Sequence, residues 1–347
     1  MAESIAPLKV EISHKTVVFT VAFIIGVWFL YLIKEIIIVI FLSIILLSAL
    51  LKPVEWLTKR KIPRFLSVTI VYILTIVIIS TVIGLLIPPV VKQTQEFVSK
   101  LPQIITTINS FLIFNEIPVE DLSKIIARQI EQIAGDIVKV STTIFSRVLL
   151  VLTMFVLAFY LLLEWDKFIR LIASPFSGKQ EKKIINTITK IEYGLGMWLR
   201  GQIALSVIVG ISVYVGLILL GIPFALPLAV IAGLLEIIPV IGPTVSSIPA
   251  ILVGLTINPL LGLAVAALYI VIQQIESNVF APLIMSKAAG LYPPVIIISL
   301  LIGLTVAGVA GAILAVPLVI TVRAIVNELL MDDQKLMHTQ DLKVKDF

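Results

Sequence analysis

Two acidic side chains stand in a long apolar stretch of the sequence, and they are the first candidates for functional residues. The segment Gly201–Val322 contains only three charged residues, which are Glu236, Glu276 and Lys287. An apolar stretch of this length is typical of a membrane protein. A carboxylate at membrane depth is costly, and it is therefore expected to mark an ion, proton or substrate path. We interpret Glu236 and Glu276 as groups that bind a proton or a transient monovalent cation.

The chain beside Glu236 contains residues that interrupt a helix. Pro239, Gly242 and Pro243 follow it closely. Proline removes a backbone donor and frees a carbonyl, and glycine allows the backbone to bend. In a membrane such a break is tolerated where the freed groups are buried in protein or line a cavity. The pattern predicts that Glu236 lies at the tip of a broken hairpin beside a path. The alternative is a carboxylate that caps or pairs at a helix end.

A second polar cluster interrupts a later apolar span. Its members are Gln273, Gln274, Glu276, Ser277 and Asn278. On a helix, Gln273 lies one turn before Glu276, and the same spacing relates Gln274 to Asn278. We interpret the cluster as the polar wall of a substrate or ion path, and hydrogen bonding between helices is the alternative. Gln202, near the start of an earlier apolar span, could reach the same path.

Composition and motifs exclude several kinds of site. The chain has no cysteine, which excludes disulfides and thiolate metal sites. Its two histidines, His14 and His338, lie near the ends, and the sequence shows no nucleophile–base pair or metal-binding motif. Gly178-Lys179 lacks the upstream glycine and the Ser/Thr of a phosphate-binding loop. We therefore expect neither an enzyme nor a cofactor.

The composition indicates an all-α, polytopic membrane protein. Of the 347 residues, 59% are hydrophobic and 14% are charged, and the mean hydropathy is +1.15. Soluble domains contain about 25% charged residues. The net charge of +5 lies in short segments beside apolar spans, where it sets orientation in the membrane. We therefore expect a lipid bilayer as the surrounding partner and no nucleic acid.

Residues 1–90 are predicted to form three spans. Thr16–Ile33 and Ile36–Leu51 are apolar runs separated by two charged residues, and we expect them to pair as a helical hairpin. Phe65–Ile87 is the third span and is expected to end at a pair of prolines. The basic segment Lys52–Arg64 places that end of the spans, and with it the N-terminus, in the cytoplasm.

Residues 91–147 are predicted to form an external amphipathic helical hairpin. Between Val90 and Arg147 the basic and acidic residues number six each, so the segment lacks a cytoplasmic charge bias. Two heptad-like seams run through it. Their residues are Phe97, Leu101, Ile104, Ile108 and Phe111, then Ile126, Ile130, Ile133, Ile137, Val140 and Ile144. The seams favour a hairpin packed on itself, and contact between subunits of a homo-oligomer is the alternative.

The rest of the chain divides into three parts. Residues 148–200 comprise a fourth span, Val148–Leu163, and a basic amphipathic linker that we place in the cytoplasm. Residues 201–330 are the predicted transport core, and residues 331–347 are a polar tail. Both termini are expected to be cytoplasmic, in the inner membrane of a prokaryote.

The predicted core contains two similar units, each a helix followed by a broken apolar hairpin. Glycine and proline follow in one order in both hairpins: Pro223, Gly233, Gly242 and Pro249, then Pro294, Gly303, Gly311 and Pro317. The predicted topology gives the units opposite directions, an inverted repeat that is frequent in secondary transporters. Arms of about 15 residues reach roughly 22 Å, which is less than the hydrocarbon core of roughly 30 Å. We therefore favour re-entrant hairpins.

The motifs resemble those of the autoinducer-2 exporter family over nearly the whole chain. The residues that carry the resemblance are Lys52-Pro53-Val54, Arg200-Gly201-Gln202, Glu236-Ile-Ile-Pro-Val-Ile-Gly-Pro243, Gln274-Ile-Glu276-Ser-Asn278, Pro282, Leu291-Tyr-Pro-Pro294, Gly303, Gly308, Gly311 and Ala315-Val-Pro317. The resemblance implies about eight transmembrane segments and secondary transport. Members of the family have been linked to a signalling furanone and to exchange of monovalent cations for protons.

We therefore expect a secondary transporter that moves a small polar solute and is coupled to protons or sodium. A monovalent cation/proton antiporter is the first alternative, and a non-transporting membrane scaffold is the second. The residues expected along the path are Gln202, Glu236, Pro239, Gly242, Pro243, Gln273, Gln274, Glu276 and Asn278. Arg200 is expected to anchor its helix at the membrane interface.

Overall fold

The computed structural model describes residues 14–114, 149–239, 241–285 and 292–344, and every regular element within them is helical. The helices are α1 His14–Leu32, α2 Lys34–Lys59, α3 Arg64–Phe114, α4 Leu149–Ala173, α5 Lys179–Leu219, α6 Ala225–Leu235, α7 Ile241–Ile257, α8 Pro259–Ile275, α9 Ala281–Met285 and α10 Pro293–Val344. A π-helical turn, Glu276–Phe280, joins α8 to α9. Seven segments of the described chain are long and apolar enough to cross a membrane. The prediction of an all-α polytopic membrane protein is confirmed.

The first two helices do not form the predicted packed hairpin. The described side chains of α1 are exposed, and only Ile33 separates α1 from α2. The Ile33 amide donates to the Phe29 carbonyl, and the Ile37 amide donates to the Ile33 carbonyl, so helical hydrogen bonds run through the junction. Lys34 and Glu35 did not produce a turn because both residue types favour helices.

Two predicted helix ends are also displaced. The apolar run of the second span continues as helix to Lys59, so much of the basic segment predicted as a loop is the last two turns of α2. The third span continues through Pro88-Pro89 to Phe114 as one helix of 51 residues. A proline inside a helix costs about 3 kcal/mol, and a helix this long has enough further hydrogen bonds to continue. The first seam lies on this extension, and the second seam lies outside the described residues.

The long helix α5 is the centre of the bundle. It has 41 residues, which corresponds to about 61 Å of helix. It packs against α2, α6, α8 and α10. One face buries Leu195 and Trp198 against α2 and α10, and the next part of the helix buries Val209 and Val213 against α6, α7 and α8. The position of every element in the predicted core is therefore set relative to α5.

The first hairpin consists of α6 and α7, as the glycine and proline pattern predicted. The helix α6 has only 11 residues and reaches about 16 Å. It crosses α5 closely, because a Cβ on Gly233 would lie 2.9 Å from the Ser206 carbonyl oxygen. The residues between α6 and α7 form the tip of this hairpin.

The second hairpin lies within α10. Ala307 and Gly308 have non-helical backbone angles, and Gly308 has a φ of 59° that suits glycine. The two arms on either side come so close that a Cβ on Gly311 would lie 2.0 Å from the Gly303 carbonyl oxygen. The 35-residue apolar segment Pro294–Glu328 is therefore two packed arms and not one straight span.

The two hairpins enter the bundle from opposite ends of α5. The first hairpin begins beside the carboxyl end of α5, where the Ile222 amide donates to the Leu217 carbonyl over 2.9 Å. The second arm of α10 passes the amino-terminal half of α5, where Glu328 forms an ion pair with Lys190. The tip of the first hairpin meets the second hairpin, and Ile238 is buried there in one cluster with residues of both arms.

Candidate functional site

A small, partly enclosed cavity lies between α5, the first hairpin and α8. Its volume is about 10 Å³, which is roughly the room that one water molecule needs. The residues that line it are Val209, Val213, Ala232, Glu236, Pro243, Ser246, Tyr269, Ile272, Gln273 and Glu276. The structure thus brings Glu236, Pro243, Gln273 and Glu276 together, as the sequence predicted.

Glu236 lies at the carboxyl end of α6 and is almost completely buried, with 1% of its surface exposed. Its backbone amide donates to the Ala232 carbonyl over 3.0 Å. Its Oε2 atom has no hydrogen-bond partner among the described residues. A buried carboxylate oxygen without a partner is costly unless a proton or a cation neutralises it.

Tyr269 on α8 carries a second buried polar atom without a hydrogen-bond partner among the described residues. The side chain is 7% exposed, and its hydroxyl also lacks a hydrogen-bond partner in the described part of the chain. Tyr269 was not predicted as a site residue, because in the sequence a tyrosine within an apolar helix looks like an ordinary residue of the protein core. Its position was nevertheless informative, since Tyr269, Gln273 and Glu276 are spaced 4,3 and share one helix face.

Ser246 is the second polar lining residue that was not among the predicted path residues. It lies on α7 with no measurable exposure and lines the cavity. Its hydroxyl donates to the Pro243 carbonyl over 3.0 Å. Because that bond uses the hydrogen, the oxygen lone pairs of Ser246 are available to a cation or a donor.

Glu276 opens the π-helical turn and is 9% exposed. The Gln273 side-chain amide donates to its carboxylate, which satisfies one oxygen. π-Helical turns are rare and are frequent at functional sites. The sequence predicted an ordinary helix here, because no residue type marks an extra residue in a helical turn.

The cavity contains negative groups without a positive one. Glu236 and Glu276 line the same small cavity, so they repel each other when both are charged. Among the described residues that line the cavity, none is lysine, arginine or histidine. The positive charge that two buried carboxylates require must therefore come from a proton or a bound cation.

Gln202 holds the hairpin tip against α5. It is 2% exposed, and its side-chain amide donates to the Glu236 carbonyl over 2.5 Å. Gly242 allows the tip to close, because a Cβ there would lie 1.9 Å from the Leu235 carbonyl oxygen. Both residues act on the backbone of the tip and do not line the cavity.

The expectation of free carbonyls at the proline break is wrong for most of the tip. The Leu235 carbonyl accepts from the Ile238 amide, and the Ile238 carbonyl accepts from Gly242. The Pro239 carbonyl accepts from the Ile241 amide over 2.8 Å. These short-range bonds tighten the turn and give the three carbonyls partners.

Besides Gln202 and Gly242, three further residues predicted along the path are not part of the cavity lining. Gln274 and Asn278 are exposed on another side of α8. The Asn278 amide donates to the Gln274 backbone carbonyl over 2.8 Å and to its side-chain oxygen over 3.0 Å. Pro239 is half-buried in the tip and belongs to the turn. Gln273 and Gln274 are consecutive on α8, so their side chains project from different faces of the helix and only Gln273 lines the cavity.

Arg200, predicted as an interfacial anchor, bonds to a neighbouring helix. Its guanidinium donates to the Ser48 and Ala49 carbonyls of α2 over 3.1 and 2.9 Å. Pro53 lies four residues after Ala49 and has no N–H to donate to that carbonyl. Arg200 therefore supplies the donor that the proline removes, and it ties α5 to α2.

Comparison with known proteins agrees with this architecture. The family model described as "AI-2E family transporter" matches residues 17–331. The chain belongs to the AI-2E transporter family. The predicted resemblance is confirmed, and the protein is a multi-pass membrane transporter by family.

Similar AI-2E relatives occur in distant bacteria. YrrI of Bacillus subtilis is 27% identical over 300 residues, which cover 83% of this chain and 85% of YrrI. YueF of the same organism is 24% identical over 80% of both chains. The Synechocystis protein sll0063 is 29% identical over 78% of this chain and 72% of its own. All three are named as candidate transport proteins, and their names state no cargo.

Proposed function

We propose that the protein is a secondary transporter in which Glu236 is the ion-coupling group. The observation that carries the proposal is the buried Oε2 atom of Glu236, which has no partner among the described residues and faces a cavity shared with Glu276. A carboxylate in that position needs a neutralising charge. A proton and a sodium ion can each supply it, and they compete for the same oxygen.

This competition supports coupling. When the site opens to one side of the membrane it can release one ion and take up the other, because only a neutralised site is stable when buried. Glu276 and the Tyr269 hydroxyl are the titratable groups that line the cavity beside Glu236. A scaffold without transport would gain nothing from keeping two carboxyl groups in a closed apolar core.

The size of the cavity favours the cation/proton antiporter as a second candidate function. Cavities that hold organic ligands typically measure about 300–1,000 Å³, whereas this one measures about 10 Å³. It fits an ion or a water molecule. A small polar solute would need a different site or a more open conformation, while a monovalent cation could itself be the transported species.

The short arms support re-entrant hairpins in the proposed mechanism. At 11 residues, α6 reaches about 16 Å and is shorter than the hydrocarbon core of roughly 30 Å. Hairpins that enter from opposite ends and meet near Glu236 are suited to alternate exposure of one site. We further propose the inner membrane as the location, with the α2–α3 and α4–α5 connections in the cytoplasm.

Replacing Glu236 tests the coupling proposal. Glu236→Gln keeps the size of the side chain and removes the charge and the exchangeable proton. In proteoliposomes with a trapped pH indicator, sodium, lithium or potassium gradients should drive proton flux in the native protein. We expect at least about a tenfold loss of this flux in Glu236→Gln, as for removal of a buried charged interaction.

Glu276→Gln distinguishes the contributions of the two carboxyl groups to the flux. Glu164→Gln is the matched control because Glu164 is exposed. Glu276→Gln should weaken the flux less, since Gln273 already satisfies one of its oxygens. Wild-type rates and pH profiles in both buried variants would remove the chemical basis of ion coupling. A facilitative pore would then be the better explanation.

A further inference from the structure

The hydroxyl of Tyr269 and the Oε2 of Glu236 are buried and lack hydrogen-bond partners among the described residues, and both residues line the same cavity. More than nine in ten buried polar groups in native proteins are paired. Packing does not explain the Tyr269 hydroxyl, because a phenylalanine would fill the same space. Two orphaned atoms at one cavity indicate a common partner that occupies it.

The chemistry of the lining restricts that partner. Glu236, Glu276, Ser246 and Tyr269 carry side-chain oxygens and line the cavity, and oxygen ligands suit hard cations. Magnesium keeps several of its waters, and a cavity of about 10 Å³ has no room for them. A single dehydrated monovalent cation fits the space, and together with one proton it balances the charge of the two carboxyl groups.

We propose that the hydroxyl oxygens of Tyr269 and Ser246 are ligands of a sodium ion that the cavity holds together with Glu236. The proposal rests on the proposed function of Glu236 and adds two binding residues to it. It also assigns them a role in specificity. A proton needs one acceptor oxygen, which Glu236 provides, whereas a dehydrated cation needs several oxygens around it. The neutral hydroxyls therefore favour sodium over a proton at the same carboxylate.

The position of Tyr269 is fixed well enough for this role. It lies in the buried cluster that joins α5, the first hairpin and α8. One residue earlier, Leu268 contacts Gly216 so closely that a Cβ on that glycine would lie 2.5 Å from it. The helix therefore has little freedom to turn, and the ring of Tyr269 is held at the cavity.

Sodium-dependent stabilisation of the purified full-length protein in detergent tests the proposal. A ligand that binds only the folded state raises the melting temperature with its concentration. Sodium chloride is titrated against choline chloride at constant ionic strength. Tyr269→Phe removes one oxygen, and we expect the sodium concentration for half of the full stabilisation to rise by about tenfold or more. Tyr160→Phe is the control, since Tyr160 is exposed on α4.

Ser246 has a close internal control. Ser246 and Ser247 both donate to the carbonyl three residues earlier, over 3.0 and 2.8 Å, but only Ser246 is buried at the cavity. Ser246→Ala should therefore weaken sodium-dependent stabilisation several-fold, and Ser247→Ala should leave it unchanged. Equal effects in the two variants would contradict the assignment of Ser246.

Stability without sodium separates a ligand from a structural residue. Removing an unpaired buried hydroxyl takes away a desolvation cost, so sodium-free Tyr269→Phe should be at least as stable as the native protein. Lower sodium-free stability with unchanged sodium dependence would mean a structural hydroxyl and would overturn the proposal.

The failure of this inference is distinguishable from failure of the proposed function. If Glu236→Gln abolishes both sodium-dependent stabilisation and coupled flux while Tyr269→Phe keeps wild-type sodium dependence, only the assignment of Tyr269 fails. If the native protein shows no stabilisation by sodium but Glu236→Gln still removes the pH dependence of flux, the cavity holds a proton or a water and not sodium. If Glu236→Gln changes nothing, the proposed function itself fails.

Discussion

At the scale of single residues, Arg200 shows how one helix can supply a hydrogen-bond donor that a proline removes from another helix. Pro53 leaves the Ala49 carbonyl without its helical donor, and Arg200 donates to that carbonyl over 2.9 Å. The close approach of the helices makes this possible, because a Cβ on Gly196 would lie 2.2 Å from the Ser48 carbonyl oxygen. The cation is therefore part of the joint between α2 and α5.

A double-mutant cycle tests this joint. Arg200→Met keeps the length of the side chain and removes its donors, and it should lower the free energy of unfolding by roughly 2 kcal/mol. In a Pro53→Ala background the Ala49 carbonyl regains a helical donor, so the same substitution should cost less. Thermal unfolding in detergent, followed by tryptophan fluorescence, measures both losses. Arg170→Met is the control because Arg170 is exposed on α4, and equal losses in both backgrounds would contradict this role of Arg200.

The carboxyl groups of the site could be predicted from the sequence, whereas the hydroxyls could not. Glu236 and Glu276 stand out because charge is costly in an apolar stretch. Tyr269 and Ser246 are compatible with packing, and only the folded structure shows that they line the same cavity as Glu236. Arg200 was placed at the interface from its charge alone, since its partner carbonyls are more than 150 positions away in sequence.

Glycine pairs control the elements that surround the site. In the second hairpin Gly303 and Gly311 bring the two arms of α10 into backbone contact. A similar approach closes the first hairpin at Gly242, and the turn between α7 and α8 brings Gly254 against Gly262. Small residues are typical where membrane helices pack closely. The arms depend on these contacts because each is too short to be stable alone.

Adding one methyl group at the second hairpin tests this dependence. The Cβ of Gly311→Ala would lie 2.0 Å from the Gly303 carbonyl oxygen, so the arms must separate. We expect a loss of at least about 2 kcal/mol in the free energy of unfolding, as for overpacking in a core.

Gly84→Ala is the matched control for that variant. Gly84 lies inside α3 with nothing within 4 Å of an added Cβ. Alanine there should be neutral or should stabilise the helix by up to about 1 kcal/mol. Thermal unfolding in detergent measures the change in the free energy of unfolding for both variants. Changes of opposite sign identify the contact between the arms as the cause. A loss of similar size at both positions would contradict it.

The existence of the elements could be predicted, but several of their ends could not. Apolar runs and glycine–proline breaks located both hairpins because these signals are local. The extension of α3 beyond Pro88-Pro89 and the continuous junction at Ile33 depend on the stability of whole helices, which a local signal does not report. The directions of the hairpins follow from their contacts with α5. The sequence predicted these directions only through the topology inferred from its basic residues.

At the scale of the whole molecule, the basic residues lie at one end of the bundle. The amino end of α5 lies with the α2–α3 and α4–α5 connections, where Arg64 of α3 forms an ion pair with Asp166 of α4. The basic residues of this end are Lys59, Arg60, Lys61, Arg64, Lys167, Arg170, Lys179, Lys182, Lys183, Lys190 and Arg323. The carboxyl end of α5 has Lys92 of α3 beside it. From the positive-inside rule we expect the first end to be cytoplasmic.

The turn between α7 and α8 must lie at the opposite end. Leu268 of α8 contacts Gly216, and Met285, after the π-helical turn, contacts Gly201, so α8 runs antiparallel to α5. Its first residues are therefore beside or beyond the carboxyl end of α5. Asn258, which caps α8 by accepting from the Leu260 amide over 2.9 Å, is exposed there.

Cysteine labelling tests this sidedness cleanly because the natural chain has no cysteine. We expect Asn258→Cys to react with a membrane-impermeant maleimide in spheroplasts. Lys59→Cys, at the end of α2, and Ser177→Cys, between α4 and α5, should react only after permeabilisation, since both are exposed at the basic end. The loss of the Asn258 cap should cost only about 1 kcal/mol, which leaves the bundle folded. Labelling of all three cysteines from one side would contradict the antiparallel packing of α8 on α5, whereas a reversed pattern would keep the packing and place the basic end outside.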